Sequence, residues 1–323
     1  MSGSIDGPED YRLAMDASLA FRSAGPQASI GGRDGLARAR ITATYLWRHH
    51  RWPRIEAPRR FTEWVQWRKL HDRDPGLPPL LDKLASKRQA RDRLGPDWIM
   101  ETLWQGRILP AARPIAGPAI VKARHGCRQF SILPHTTTAK EWAHLRRQTL
   151  SWEREPYGAW LDEWAYRDVP RGLLAETLIG DGRVLPIDYK IYVFGGQATH
   201  VQVHLDRAGQ HRWILHDRTW RPLIAGSDAP PRPRSLPAML AAAETLSDGR
   251  DFVRVDFYEV AGQPVFGEFC LYPGSGLDPF AADWIDEELG ALWSAARACQ
   301  TPLVSATNTS SRSASRVVTS SIA

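Results

Sequence analysis

Hydrophobic and polar positions alternate most regularly in residues 251–271, with the period of two residues that is typical of β-strands. A glycine-centred break at Ala261-Gly262-Gln263 divides this stretch, so the pattern predicts a hairpin of two strands. Val255 lies on the apolar face of the first strand. On the second strand the pattern predicts Val265 on the apolar face and Phe266 on the opposite one.

The register of this hairpin decides which polar side chains face each other. A three-residue turn sets Asp256 opposite Glu268, and Arg254 opposite Cys270, on the polar face. A two-residue turn would shift the pairing by one and separate the carboxylates. Because the first register also aligns both apolar sets, we expect the three-residue turn. Facing carboxylates repel unless a proton or cation lies between them, and Mg²⁺ suits such oxygen ligands. The alternative is a solvated strand face on which Arg254 neutralises Asp256.

Helical periodicity, capping residues and breaks predict the other elements. The predicted helices are Ala37–His50, Phe61–Leu70, Lys83–Leu94 after an N-cap at Asp82, Ala139–Trp152, Leu236–Leu246 and Ala281–Ala298. The other predicted strands are Pro118–Ala123, Leu173–Ile179, Ile187–Phe194, Gln197–Asp206 and His211–His216. This mixture predicts an α+β protein.

The same pattern divides the chain into four parts. Residues 1–36 are polar and rich in Gly and Ser, which predicts a disordered N-terminal arm. Residues 37–115 form a predicted helical region, and residues 116–300 hold the predicted strands and form the core. Residues 301–323 are rich in Ser and Thr and predict a disordered tail.

Composition narrows the class of partner. With 323 residues, 43% hydrophobic and 24% charged, the chain is typical of a globular protein. A net charge of +6 is compatible with nucleic acid, anionic lipid or acidic substrates, but the basic residues are dispersed, including an arginine-rich patch at Arg38–Arg60. We expect no nucleic acid partner, whereas peripheral membrane association stays open. The three cysteines are far apart, and we find neither a membrane span nor a secretory leader, so we expect a cytoplasmic protein.

Two more strands carry candidate chemistry. Lys122 lies in an apolar strand, where an ammonium group either reaches solvent or meets an anion. Asp188 and Lys190 are two residues apart, on one face of another strand. Taken singly, each is more typical of a structural role.

The ordered set of these segments resembles the ATP-grasp superfamily, and specifically the TupA-like family associated with cell-surface polysaccharide biosynthesis. The resemblance extends roughly from Phe61 to Ala298. It is carried by Leu81-Asp-Lys83, Ile120-Val-Lys122, Ala175–Ile179, Asp188–Gly195, Arg207, Arg254-Val-Asp256, Glu268 and Pro273-Gly274. It implies an ATP-grasp fold, in which two α+β lobes clasp ATP, with a helical N-terminal extension.

The resemblance also implies nucleotide-binding roles. Lys83 and Lys122 would approach the phosphates of ATP. The backbone at Glu176 would hold adenine, with its side chain near the purine or ribose. Lys190 and Arg207 would face the β- and γ-phosphates, and Asp188 would belong to the same nucleotide site.

For the metal and the transition state, the resemblance implies Asp256 and Glu268 as ligands of Mg²⁺ (or Mn²⁺). Arg254 and Lys190 would be catalytic, Arg254 stabilising charge on the transferred phosphoryl group. One departure concerns Cys270, since many relatives have Asn at this position and a thiol is a poor Mg²⁺ ligand. A second metal ion is therefore in doubt.

The implied function is ATP-dependent amide formation between a small-molecule or glycan carboxylate and an amine acceptor, through an acyl-phosphate, in polysaccharide or related glycoconjugate biosynthesis. A sugar or polyol kinase, or a glycan-modifying transferase, on the same nucleotide site is one alternative. A non-catalytic basic protein that binds an anionic polymer is another.

Overall fold

The computed structural model describes residues 30–154, 157–180, 186–205, 212–226 and 228–300, with side chains from residue 35 onward. The predicted tail and most of the predicted N-terminal arm lie outside the described residues. The first helix begins at Ile30, seven residues before its predicted start at Ala37. Within the described ranges, no helix is long and apolar enough to cross a membrane.

Seven α-helices and nine strands make up the regular structure of the described residues. The helices are α1 (Ile30–His49), α2 (Phe61–His71), α3 (Pro78–Leu81), α4 (Lys83–Leu94), α5 (Ala139–Arg154), α6 (Leu236–Ser247) and α7 (Asp283–Gln300). The strands are β1 (Thr102–Gly106), β2 (Ala119–Ala123), β3 (Phe130–Leu133), β4 (Leu173–Thr177), β5 (Asp188–Phe194), β6 (Gln197–Leu205), β7 (Arg212–Asp217), β8 (Phe252–Val260) and β9 (Gln263–Cys270). Every predicted helix and strand is present, and β1, β3 and the short helix α3 are additional.

The first lobe is a four-stranded antiparallel sheet in the order β1-β4-β2-β3. Strands β2 and β4 lie in the middle of it, so both of their edges are paired. Helix α5 buries Trp142, Leu145 and Trp152 in the core of this lobe. This packing leaves the side chains of Lys122 and Glu176, on β2 and β4, available for other contacts.

The second lobe is a five-stranded antiparallel sheet in the order β7-β6-β5-β8-β9. Its aromatic core gathers around Phe252 of β8, whose ring lies 5.0 Å from that of Phe61 on α2 and 4.4 Å from that of Trp293 on α7. Nearby, Arg68 of α2 donates to the Phe252 carbonyl and to Asp251. These buried contacts fix the strands that carry most of the predicted site.

The predicted helical region is continuous with this core rather than separate from it. Helix α2 packs against α7 and the second sheet through Phe61, and β1 pairs with β4 in the first sheet. A local periodicity predicts the helices themselves, but contacts across more than a hundred residues decide where they pack. The predicted helical region therefore contributes α2 to the core and β1 to the first sheet, and the boundary at residue 115 stays a prediction.

The hairpin of β8 and β9 has the predicted site register but not the predicted turn. Val260 pairs with Gln263, so the turn contains only Ala261 and Gly262, both with positive φ, as two-residue hairpin turns require. A β-bulge then shifts the register between Asp256 and Phe257. The two-residue turn was the rejected alternative, and that part of the prediction is wrong.

The bulge restores the pairing that the turn alone would have lost. Beyond it, Asp256 faces Glu268, as predicted. On the other side of the bulge Phe266 pairs with Phe257 and is buried, while Val265 pairs with Tyr258. The predicted faces of Val265 and Phe266 are therefore exchanged. The extra residue is Gly267, where a Cβ atom would lie 3.0 Å from the Asp256 carbonyl oxygen.

Candidate functional site

A buried chain of charges runs along the polar face of the second sheet. Lys190 of β5 donates to Asp188 and to Asp256, with both nitrogen–oxygen distances at 2.6 Å. Arg254 holds the same Asp256 through two bonds, of 2.7 Å from Nε and 2.8 Å from Nη2. The two-residue spacing of Asp188 and Lys190, and that of Arg254 and Asp256, thus produces same-face contacts, as the strand pattern predicts.

These contacts keep the buried groups ionised. Burial by itself would raise the pKa of Asp256, but the charges of Arg254 and Lys190 outweigh it and hold that pKa below its ordinary value. Burial opposes the charge on Lys190 too, yet Asp188 and Asp256 raise its pKa. The network is therefore a fixed, buried array of opposite charges across β5 and β8.

Glu268 lies directly across from Asp256 and is the more accessible of the two carboxylates. Its side chain is 36% exposed, whereas that of Asp256 is only 3% exposed. Lys83, at the start of α4, is 3.2 Å from Glu268 and also donates to the Gly126 carbonyl at 2.7 Å. Burial raises the pKa of Glu268, but the charges of Lys83, Lys190 and Lys122 together outweigh this effect, and the resulting pKa is below the ordinary value.

On the first sheet, one carboxylate is held between two lysines. Glu176 of β4 accepts a bond of 2.7 Å from Lys122 of β2 and another of 2.7 Å from Lys87 of α4. Burial opposes this charge, but the lysines dominate and lower the pKa of Glu176 to about 2. The anion that meets Lys122 in this structure is therefore Glu176.

Lys87 is the site residue that the sequence analysis missed. It also donates to the Met100 carbonyl at 2.6 Å and to Thr102 Oγ1 at 3.1 Å. A signal was present, because Lys83 and Lys87 are four residues apart in a predicted helix and so lie on one face. The sequence pattern by itself predicts only that Lys87 lies in the helix Lys83–Leu94.

Helix α4 connects the two charged regions. Asp82 caps the helix by accepting from the Leu84 amide at 3.0 Å, as predicted, and it also binds Arg124 after β2. From this fixed start, Lys83 reaches Glu268 on the second sheet and Lys87 reaches Glu176 on the first. The charge of Lys122, on the first sheet, lowers the pKa of Glu268, as do those of Lys83 and Lys190, whereas Asp256 raises it. Charged residues of both sheets therefore act on Glu268.

The structure therefore brings together eight of the nine residues predicted for the site. They are Lys83, Lys122, Glu176, Asp188, Lys190, Arg254, Asp256 and Glu268. The ninth, Arg207, lies outside the described residues. What each group does to a nucleotide stays a prediction.

The carboxylate pair is compatible with one hard divalent cation. Asp256 and Glu268 supply oxygen donors from opposite strands, and Glu268 is open enough to accept a further ligand. Among the side chains that the structure describes, no three His, Cys, Asp or Glu residues converge as a metal site. Mg²⁺ commonly uses one or two carboxylates together with substrate phosphates and water, so two carboxylates fit that ion.

Cys270 occupies the position opposite Arg254, in the predicted register. Burial raises the pKa of its thiol to about 12, against the opposing effect of Arg254. The thiol is thus neutral at physiological pH and adds no anionic ligand beside Glu268. This chemistry favours a single cation at the pair.

Two lobes with clustered lysines and carboxylates between them define the ATP-grasp class of protein, with the predicted α+β fold. The model of the family described as TupA-like ATP-grasp matches residues 63–294, and the chain belongs to this family. The predicted family and fold class are thereby confirmed. No curated protein matches the chain.

Solved structures of ATP-grasp ligases are similar to the chain at low identity. The ligase PsnB in complex with its minimal precursor is 15% identical, with 73% of this chain and 69% of that chain covered and a TM-score of 0.41. D-alanine–D-alanine ligase from Bacillus anthracis is 15% identical, with coverages of 68% and 65% and a TM-score of 0.40. D-cycloserine synthetase DcsG is 14% identical, with coverages of 69% and 71% and a TM-score of 0.41. At this similarity, substrates do not carry over from those proteins.

Proposed function

We propose that this protein is an ATP- and Mg²⁺-dependent ligase that joins a carboxylate to an amine through an acyl-phosphate. The observation that carries the proposal is the set of five cationic side chains placed around four carboxylates between the lobes. The cations are Lys83, Lys87, Lys122, Lys190 and Arg254. Phosphoryl transfer needs positioning and positive charge more than a protein nucleophile, and this site supplies both.

On the first sheet, Lys122 and Lys87 would bind phosphate oxygens of ATP. Glu176 holds both ammonium groups in place before the nucleotide arrives, so less conformational entropy is lost on binding. Lys122 is the better placed for this role, because its side chain is 23% exposed while that of Lys87 is 8% exposed. The carboxylate of Glu176 thus compensates the charge of both lysines while no nucleotide is bound.

On the second sheet, Lys190 and Arg254 would stabilise the charge of the transferred group. Asp188 and Asp256 orient these two cations, and the buried setting strengthens their effect on an anion. Asp256 and Glu268 would hold Mg²⁺, which supplies charge neutralisation on phosphate oxygens when bound. Asp256 is buried, and its bonds to Arg254 and Lys190 hold the carboxylate in a fixed position.

The proposed reaction has two balanced steps. A carboxylate oxygen of the substrate attacks the γ-phosphorus, the bond to the bridging oxygen of ADP breaks, and ADP leaves with that electron pair. The acyl-phosphate then reacts with an amine nitrogen, which forms the amide and releases phosphate and one proton. Lysine and arginine side chains facing these oxygens would stabilise the charge that develops in both steps.

We further propose that the acceptors belong to cell-surface polysaccharide or related glycoconjugate biosynthesis, a substrate class suggested by the family. The test is ADP release measured over a matrix of uronic-acid sugars and amino acids with Mg·ATP, with the product identified by mass. A product with one new amide supports the proposal. A stable phosphorylated sugar would instead identify a kinase. Absence of nucleotide binding would exclude both enzymes and leave the non-catalytic protein that binds an anionic polymer.

The first prediction tests the metal pair. Glu268→Gln removes a carboxylate that is one third exposed and paired with Lys83, so we expect the melting temperature to fall by no more than about 2 °C. ADP release should fall by at least about a hundredfold, because loss of one electrostatic group in such a site costs on the order of 3 kcal/mol. The matched control is Asp92→Asn, an exposed carboxylate that takes part in none of the contacts described for the site, and it should behave as wild type. Wild-type ADP release by Glu268→Gln would rule out the metal assignment.

A further inference from the structure

Helix α1 precedes the part of the chain that matches the family, and one of its faces is firmly packed. Ile41 and Tyr45 are buried, and the Tyr45 hydroxyl lies 3.0 Å from Thr62 Oγ1. At the end of the helix, Arg48 donates to the Leu277 carbonyl at 2.9 Å, and His49 Nε2 lies 3.0 Å from the Gly276 carbonyl oxygen. The orientation of α1 on the molecule is therefore fixed.

The opposite face of α1 is apolar and exposed. Leu36, Ala39, Ala43 and Trp47 follow one another at spacings of three and four residues, which places them on one stripe. The side chains of Leu36 and Trp47 are 49% and 60% exposed. Trp52, just beyond the helix, is 71% exposed. Large apolar side chains gathered in this way mark an interaction surface.

Basic residues are frequent in the part of the sequence that contains the stripe. Residues 36–60 contain seven arginines and one acidic residue, Glu56. Arg38, Arg40, Arg51 and Arg60 form ion pairs with carboxylates of the chain. Among the salt bridges of the described residues, Arg48, Arg54 and Arg59 do not take part, and Arg54 and Arg59 are exposed. Arg48 directly follows Trp47 and Arg54 is two residues after Trp52, so positive charge remains close in sequence to the exposed tryptophans.

We propose that this surface, defined by Leu36, Ala39, Ala43, Trp47 and Trp52, docks the protein onto a membrane surface that carries anionic lipid headgroups. Tryptophan is favoured at the boundary between headgroups and acyl chains, and basic residues near an anionic surface strengthen the attachment. A second copy of the chain suits the surface less well, because pairing two such stripes would bring like charges together. Docking is reversible, since one helix face buries a limited apolar area.

The test uses the full chain and two kinds of vesicle, phosphatidylcholine alone and phosphatidylcholine mixed with phosphatidylglycerol. We expect co-sedimentation with the anionic vesicles, weakened by added salt. Replacing both tryptophans, Trp47→Ser with Trp52→Ser, should weaken binding by at least about tenfold, because a tenfold change corresponds to about 1.4 kcal/mol. The matched control is Ile108→Ser, whose side chain is 64% exposed elsewhere on the surface and whose loss should not matter.

Ala43→Glu is a second variant, which places a negative charge in the middle of the stripe and should also abolish binding. It carries the test if the double tryptophan variant does not fold, as judged by its melting temperature. Equal binding of wild type and variants, or no binding of the wild type to anionic vesicles, overturns the proposal. A wild-type dimer that Ala43→Glu converts to a monomer would instead assign the surface to a second copy.

Discussion

At the scale of single residues, the site depends on carboxylates that stay charged although they are buried. Glu176 is the clearest case, since two lysines on different elements lower its pKa to about 2. Removing one partner from such a set leaves an uncompensated charge in a region of low dielectric. This lowers the free energy of unfolding by more than the intact set contributes to it. Substitution of Glu176 should therefore affect stability as well as nucleotide binding.

The Glu176→Gln variant makes a pH-dependent prediction. The folded pKa lies below the unfolded value, so the stabilisation is complete above about pH 5 and is lost as the pH falls towards the folded value. Near neutral pH we expect the variant to lose roughly 2–3 kcal/mol of unfolding free energy, from a shift of about two pKa units. The difference from wild type should shrink in acid. Urea unfolding at several pH values measures this, and a difference that does not depend on pH would contradict it.

The residues of the site were partly predictable from the sequence. Asp188, Lys190, Arg254 and Asp256 follow from strand alternation, because their partners lie two residues away or on the neighbouring strand. Lys87 did not follow, since its partner Glu176 is 89 residues distant and only the packing of α4 brings them together. Local patterns predict faces of elements, whereas contacts between elements depend on the tertiary fold.

At the scale of elements, Gly267 determines the geometry of the metal pair. A two-residue turn alone would place Asp256 and Glu268 on opposite faces, and the bulge at Gly267 returns them to the same face. Periodicity predicts the correct pairing of Asp256 with Glu268 but a three-residue turn in place of the two-residue turn. It cannot distinguish a longer turn from a shorter turn plus a bulge. The exchanged faces of Val265 and Phe266 are the consequence.

The Gly267→Ala variant tests this account. A Cβ atom there would lie 3.0 Å from the Asp256 carbonyl oxygen and 3.2 Å from Tyr258 Cε2, so β8 must shift by a few tenths of an ångström. We expect a loss of about 1–3 kcal/mol in unfolding free energy, as for other overpacked sites. ADP release should fall further than stability predicts, because Glu268 shifts relative to Asp256. Gly117→Ala, where no atom lies within 4 Å of the added Cβ, is the control. Wild-type stability and activity of Gly267→Ala would refute the role of the bulge.

At the scale of the whole molecule, α4 joins the two sheets into one charged cleft. Its first turn contacts Glu268 of the second sheet through Lys83, and its second turn contacts Glu176 of the first sheet through Lys87. A parallel bridge between Ile99 and Phe266 also links the region after α4 to β9. The sequence predicted the helix and its cap but assigned it to a separate helical region, because nothing local shows that it lies between two lobes.

Lys83→Met separates the structural role of this connection from its electrostatic role. The Lys83–Glu268 pair is partly exposed, so its loss should cost about 1 kcal/mol or less, and the melting temperature should fall by about 2 °C. The expected effect on the ionisation of Glu268 is more specific, because Lys83 is the main cation that lowers the pKa of this carboxylate against the effect of burial. Without it that pKa rises, and the carboxylate protonates at higher pH. If Glu268 must be ionised for turnover, the acid limb of the ADP-release profile should move to higher pH in this variant. Lys140→Met, an exposed lysine on α5, should leave the acid limb in place. An unshifted acid limb in Lys83→Met, at retained stability, would show that Glu268 does not titrate in the active cleft.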